Sequence, residues 1–193
     1  RDNPFATDRV ERMLAFKPEW AGTSWDALET RWQELNRRAT LTGRHGSGKT
    51  TFLNTWKNRL SQHDLNNQDG HEILALFLNR ESRTLKPESW LALENCTKKT
   101  IFLDGEEQLS WLARRKFHQL TRNAHALIIT RHRKSSLPCL LHLDPDITTL
   151  HHCVQQLTPN HYPRLKPDLQ AWWHQTHGNI REALLLCYDA MRR

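Results

Sequence analysis

Ala39-Thr40-Leu41-Thr42-Gly43-Arg44-His45-Gly46-Ser47-Gly48-Lys49-Thr50-Thr51-Phe52-Leu53 decides how the rest of the chain is read. Its first four residues are β-compatible and stop at Gly43. Gly43, Gly48, Lys49 and Thr50 complete the pattern G-x-x-x-x-G-K-[ST]. After Thr50, Phe52, Leu53, Trp56 and Leu60 fall at helical spacing. The pattern therefore sits between a predicted strand and a predicted helix. Glycines let the backbone curl so that peptide N–H groups face one concavity. The positive end of the following helix adds to that field. Lys49 is placed to reach the β- and γ-phosphates of a nucleotide, and Thr50 offers a hydroxyl to Mg²⁺. Residues 43–51 (Gly43, Arg44, His45, Gly46, Ser47, Gly48, Lys49, Thr50 and Thr51) are thus the candidate ATP-binding segment.

Working outward, Ser24 can cap a helix over 25–37, with Trp25, Leu28, Trp32 and Leu35 on one face. Residues 61–71 are polar and read as a loop. Ile73-Leu74-Ala75-Leu76-Phe77-Leu78 is a continuous apolar run, which suggests a strand buried on both faces. Pro87 suits the start of a helix over 88–95. Thr100-Ile101-Phe102-Leu103 is a third strand, ending on Asp104. A helix carrying Leu109, Leu112 and Leu120 follows. Ala126-Leu127-Ile128-Ile129-Thr130 is a fourth strand and Leu140-Leu141-His142-Leu143 a fifth. From there the pattern is helical: Leu150, Val154 and Leu157, then Leu169, Trp172 and Trp173, then Ile180, Ala183, Leu184, Cys187 and Met191. Five strands alternating with helices predict an α/β fold with a parallel sheet wrapped by helices. The expected divisions are an extended lead-in (1–23), a nucleotide-binding core (24–145) and a helical lid (146–193).

The strand ending in Asp104 places a carboxylate where ligands bind in open α/β sheets. Asp104 is the candidate Mg²⁺ residue alongside Thr50. Glu106 or Glu107 is the candidate general base for an attacking water. Both could equally stabilise the next helix through its dipole. Thr130, at the end of the fourth strand, is a candidate for holding water or the γ-phosphate if its strand lies between the first and third. One of Arg131, His132 and Arg133 could reach phosphate. In Gly178-Asn179-Ile180-Arg181-Glu182, Asn179 and Glu182 have capping-box spacing. Arg181 then lies in the first turn of the last helix, from which it could reach the γ-phosphate.

Composition narrows the function classes. The 193 residues are 37% hydrophobic and 25% charged, an ordinary globular balance for one α/β domain. No apolar run approaches the roughly 20 residues that span a bilayer. The net charge of +7 permits nucleic-acid contact without demanding it, because the basic residues are scattered. The four cysteines form no C-x-x-C pair. Cys139 and Cys187 read as small core residues, and Cys153 falls on an apolar helical stripe beside His151 and His152, which argues against a metal. The dispersed cysteines point to a reducing, cytoplasmic location. The start at Arg1 and the end within a helical pattern suggest a piece of a longer protein.

Together these motifs resemble the AAA+ and STAND branch of P-loop ATPases. The loop at 43–50, the strand ending in Asp104, Thr130 and Gly178-Asn179-Ile180-Arg181 fall in the order that branch uses. Asp104-Gly105-Glu106-Glu107 looks like the STAND form of the Walker B motif, and by that alignment Glu107 is the catalytic acid. Gly178-Asn179-Ile180-Arg181 looks like the sensor 2 of origin-recognition-type and ExeA-like ATPases. Asn3-Pro4-Phe5 resembles a lead-in that lines an adenine pocket. The resemblance implies a three-layer αβα P-loop NTPase sandwich with strand order 5-1-4-3-2, a helical lid, ATP and Mg²⁺ as ligands, and a protein partner or self-association. It also implies an ATPase, with a nucleotide-gated binding module of little turnover as the alternative, favoured by Gly105 in place of the usual Glu. A small-molecule kinase would need an Arg-rich lid, for which Arg131 and Arg133 are the only hint. The Leu-Ser-Gly-Gly-Gln signature of ABC ATPases and the Asn-Lys-x-Asp motif of GTPases are absent, which favours adenine.

Overall fold

Alternation of side chains along each strand sets the layers. In β3 (Lys99–Asp104) and β4 (Ala126–Arg131), Ile101, Leu103, Leu127 and Ile129 turn to one face of the sheet, and Phe102 and Ile128 to the other. The first set packs with Leu93 of α3 (Pro87–Glu94) and Phe117 of α4 (Trp111–Leu120). The computed structural model of the protein describes residues 13–64, 72–79, 81–133 and 135–192. With β1 (Arg38–Gly43), β2 (Glu72–Phe77) and β5 (Cys139–Leu143), the strands form a five-stranded parallel sheet in the order β2-β3-β4-β1-β5. This is the expected order 5-1-4-3-2. The register pairs Leu41 with Thr130 and Phe102 with Ile128, so β4 lies between the first and third strands.

α1 (Trp25–Glu34) starts where Ser24 accepts a hydrogen bond from the N–H of Ala27 at 3.2 Å. It stops three residues before the expected end. Asn36 and Arg37 turn left-handed (φ 52° and 56°), the N–H of Arg37 donates to Trp32 O, and that of Asn36 to Gln33 O. This paired closure ends the helix and releases the chain into β1. Leu28 and Trp32 are buried, and Trp25 and Trp32 both meet Trp56 of α2 (Lys49–Asp64) edge-on. α2 extends four residues into the stretch expected to be a loop, and 65–71 lie outside the described residues. So do Asn3, Pro4 and Phe5.

Three expectations about burial are corrected. β2 is not buried on both faces. It is the edge strand, and Phe77 is 60% exposed. Leu112 does not face inward, being 71% exposed, and Phe117 supplies the inner contact of α4. Cys139, on the other edge strand, is exposed.

The chain divides into two compact units. One holds 24–43 and 53–142, and the other holds 13–23, 44–52 and 143–192 of the described residues. In the second unit, α5 (Ile147–Leu157), the short α6 (Tyr162–Leu165), a 3₁₀ turn at 166–168, α7 (Leu169–Gln175) and α8 (Ile180–Met191) together build a core. That core contains Leu150, Val154, Leu157, Leu165, Leu169, Leu184 and Cys187. Burial pushes the thiols of Cys153 and Cys187 up to about 12, which suppresses the thiolate a metal would need. No cluster of three or more metal-ligating side chains occurs among the described residues. No helix among them is long and apolar enough to cross a membrane.

Candidate functional site

The segment between β1 and α2 has the backbone its glycines predict. Gly46 (φ 69°) and Gly48 (φ 91°) are left-handed. Lys49 is buried to 8% exposure, and its ammonium donates to the carbonyl of Arg44 at 2.6 Å. The hydroxyl of Ser47 is buried with no hydrogen-bond partner among the described residues. A buried cation on a left-handed loop, with a hydroxyl left over, suits an anion with several oxygens. Arg44 and His45 are exposed, and Thr50 and Thr51 lie half-buried in the first turn of α2.

The same unit brings the start of α8 to this loop. A Cβ on Gly46 would overlap the amide of Asn179 and lie 3.4 Å from the backbone nitrogen of Arg181. Asn179 caps α8 by accepting from the N–H of Glu182 at 3.4 Å, as its spacing predicts. The reciprocal arm differs from a capping box. Glu182 Oε1 accepts from the Asn179 side-chain amide at 2.8 Å rather than from backbone. Arg44 donates to the carbonyl of His177 at 3.3 Å and pairs with Asp144 at 2.9 Å. Arg181 itself is exposed.

In the sheet unit, the ends of β3 and β4 form a second cluster. Asp104 is buried to 9% exposure, and its Oδ1 accepts from the fully buried hydroxyl of Thr130. The same hydroxyl accepts from the N–H of Gly105 at 2.9 Å. Thr130 therefore orients Asp104 and the turn that follows, and its one proton is committed to the carboxylate. Asp104 in this unit, and Thr50 in the other, each carry the kind of hard oxygen that Mg²⁺ takes.

Gly105 follows Asp104 for a steric reason. Its φ is 85°, and a Cβ there would overlap the carbonyl oxygen of Leu78, at the exit of β2. A side chain there is sterically excluded, and the acids are the next two residues, in a 3₁₀ turn at Glu106–Gln108 that Gly105 caps. The two glutamates then part company. Glu106 is fully buried. His118 Nε2 lies 2.8 Å and Arg114 Nε 3.5 Å from its Oε1, and Arg131 Nε lies 3.1 Å from its Oε2. Two guanidinium groups and an imidazole thus face its oxygens, Oε2 through ion pairing alone, which anchors the turn and leaves little room for a substrate water. Glu107 is 22% exposed, with one oxygen 2.9 Å from His132 Nε2. Its Oε2 is buried with no hydrogen-bond partner among the described residues. Of the three residues among which one was expected to reach phosphate, Arg131 and His132 face the glutamates, and Arg133 is exposed. The partnership of Glu106 with His118 and Arg114 was not legible, since nothing in their spacing marks it.

No family model matches this chain, and no curated protein matches it. Among solved structures it is similar to a chain of Drosophila ORC bound to DNA, with a TM-score of 0.49 and 15% identity. The match covers 95% of this chain and 54% of that one, so this chain spans about half the length of its structural neighbour. A likeness that distant says nothing about ligand or activity.

Proposed function

We propose that this protein binds ATP with Mg²⁺ on residues 43–51 and hydrolyses it, and that nucleotide state changes the arrangement of a partner system. The observation that carries the reading is the loop itself. A full G-x-x-x-x-G-K-T pattern joins a buried strand to a helix, with left-handed glycines and a buried lysine. The resemblance to AAA+ and STAND ATPases supports it through Asp104, Thr130 and Gly178-Asn179-Ile180-Arg181.

In this mechanism Lys49 binds the β- and γ-phosphates, and Thr50 and Asp104 hold Mg²⁺. The metal, when bound, neutralises charge on the phosphates. Thr130 keeps Asp104 oriented. Glu107 accepts the proton of the attacking water through Oε2, and Glu106 keeps the turn in place. Arg181 meets the γ-phosphate and links α8 to nucleotide state. The partner is a protein or a second copy of the chain. Nucleic acid is the competing partner, read by a salt-dependent shift of duplex DNA.

The test is ATP binding and phosphate release, measured side by side. Lys49→Ala is expected to abolish binding. Glu107→Gln is expected to bind normally and lose about 10²- to 10⁴-fold in release, the usual contribution of a general base. Glu106→Gln turning over while Glu107→Gln does not would assign the base. The second reading, a nucleotide-gated module, is favoured by Gly105, which denies the base its usual position. Tight binding by wild type with no phosphate release would establish it instead.

A further inference from the structure

His132 has a part in the turn after β3 that the motif pattern does not assign. Its Nε2 lies 2.9 Å from Glu107 Oε1, and its Nδ1 lies 3.1 Å from the carbonyl oxygen of Gly43. Gly43 closes β1 and is the first residue of the nucleotide-binding pattern. One imidazole therefore spans the candidate base and the root of the loop.

We propose that His132 is a positioning residue, which fixes one oxygen of Glu107 to the carbonyl of Gly43 and leaves the other oxygen to the attacking water. The proposal rests on the reading of Glu107 as the base. Three observations carry it. First, Glu106 already anchors the turn through Arg114, His118 and Arg131, independently of His132. Second, the two oxygens of Glu107 are unlike: Oε1 faces His132, and Oε2 is buried without a hydrogen-bond partner among the described residues. A base needs that asymmetry, with one oxygen holding the geometry and the other not already taken by a donor of the protein. Third, both ring nitrogens face oxygen atoms. Each nitrogen is within hydrogen-bond distance of its own oxygen, Nε2 of Glu107 Oε1 and Nδ1 of the Gly43 carbonyl. The ring is thus matched to both partners at once, which a solvated surface pair does not require.

The roles of the two nitrogens can be separated by substitution in the full chain. In His132→Gln the amide can take the place of Nε2 and donate to Glu107. In His132→Asn the shorter amide can take the place of Nδ1 and reach Gly43 only. His132→Ala keeps neither contact. ATP affinity, single-turnover phosphate release and melting temperature are measured for each. The expected result is that Asn and Ala lower the release rate about 10- to 100-fold, as loss of an orienting partner does at other sites. Gln, which keeps the contact with Glu107 but not the one with Gly43, restores part of that rate. Affinity and melting temperature stay near wild type throughout. Equal rates for Gln and Asn overturn the proposal, as does a loss of melting temperature in step with the rate. A wild type that binds ATP without releasing phosphate overturns the hydrolysis reading, and this proposal with it. Should the variants fail to fold, ¹⁵N NMR of the His132 ring keeps the pair testable. Glu107→Ala is expected to move the Nε2 resonance far more than that of Nδ1, and no movement would overturn the contact.

Discussion

Gly105 and Gly46 stand in the two units of the chain and have nearly the same backbone, with φ of 85° and 69°. Each leaves no room for a Cβ, but what fills the space differs. At Gly105 it is the main-chain carbonyl oxygen of Leu78, held where the Leu78 N–H donates to Asp104 O at 2.9 Å. At Gly46 it is the side-chain amide of Asn179. Main chain paired across two strand exits cannot yield without breaking the ladder. A side chain can yield by rotating about χ1. The turn that carries Asp104, Glu106 and Glu107 is therefore rigid by construction, while the loop that carries Lys49 meets α8 through a contact that can be remade.

The largest expected effect is at Gly105. Gly105→Ala adds left-handed strain to a backbone overlap, and should cost about 3 kcal/mol in urea denaturation. Trimming the Leu78 side chain should not rescue it, because the overlapped atom is a carbonyl oxygen. A Gly105→Ala protein of near wild-type stability, or one rescued by Leu78→Ala, would break the contrast between the two turns.

At Gly46 a smaller effect is expected, and one that can be relieved. Gly46→Ala carries the left-handed penalty of about 1–2 kcal/mol plus displacement of the Asn179 amide. Asn179→Ala alone loses the cap of α8, worth about 1 kcal/mol. Since the added methyl and the amide compete for one space, the double variant should be more stable than the two single losses predict, by about 1 kcal/mol. Strict additivity in the four-protein cycle would mean that the amide does not fill the notch.

The sheet was legible because its central strands are short apolar runs punctuated by Gly43, Asp104 and Thr130. Edge position was not. Ile73–Leu78 is as apolar as Thr100–Leu103, yet it lies at the margin and leaves Phe77 in solvent, since burial depends on neighbours that a strand's own residues do not encode. Helical spacing failed at Leu112 for a related reason. α4 begins at Trp111, so Leu109 precedes it, and the inward stripe runs through Phe117. The candidate site was legible where a motif fixes backbone, as at 43–51 and at the Asn179 cap. It was not legible at Glu106 and Glu107, two identical side chains in adjacent positions. What separates them is Arg114, His118, Arg131 and His132, delivered by α4 and the end of β4. That Gly105 follows Asp104 was visible in the sequence, whereas what makes it glycine, the carbonyl of Leu78, needed the fold.

The smallest expected effect tests whether Asn179 is the main adjustable tie between the loop and its own unit. Arg44 and Asp144 pair at 2.9 Å, but their side chains are 58% and 63% exposed. Water screens such a pair, and ordering two flexible side chains offsets much of what remains, so the net contribution is about 0–0.5 kcal/mol. Asp144→Ala leaves Arg44 its hydrogen bond to the carbonyl of His177, which further limits the loss. The variant should therefore lose at most a few tenths of a kcal/mol at low salt, and that loss should vanish near ~1 M salt, where the Debye length falls to about 3 Å. A loss above about 1 kcal/mol, or one that persists in high salt, would exceed an exposed ion pair. It would make Asp144 a second fixed point for the loop, and Gly46 would then move closer in character to Gly105, held by more than one side chain that can turn away.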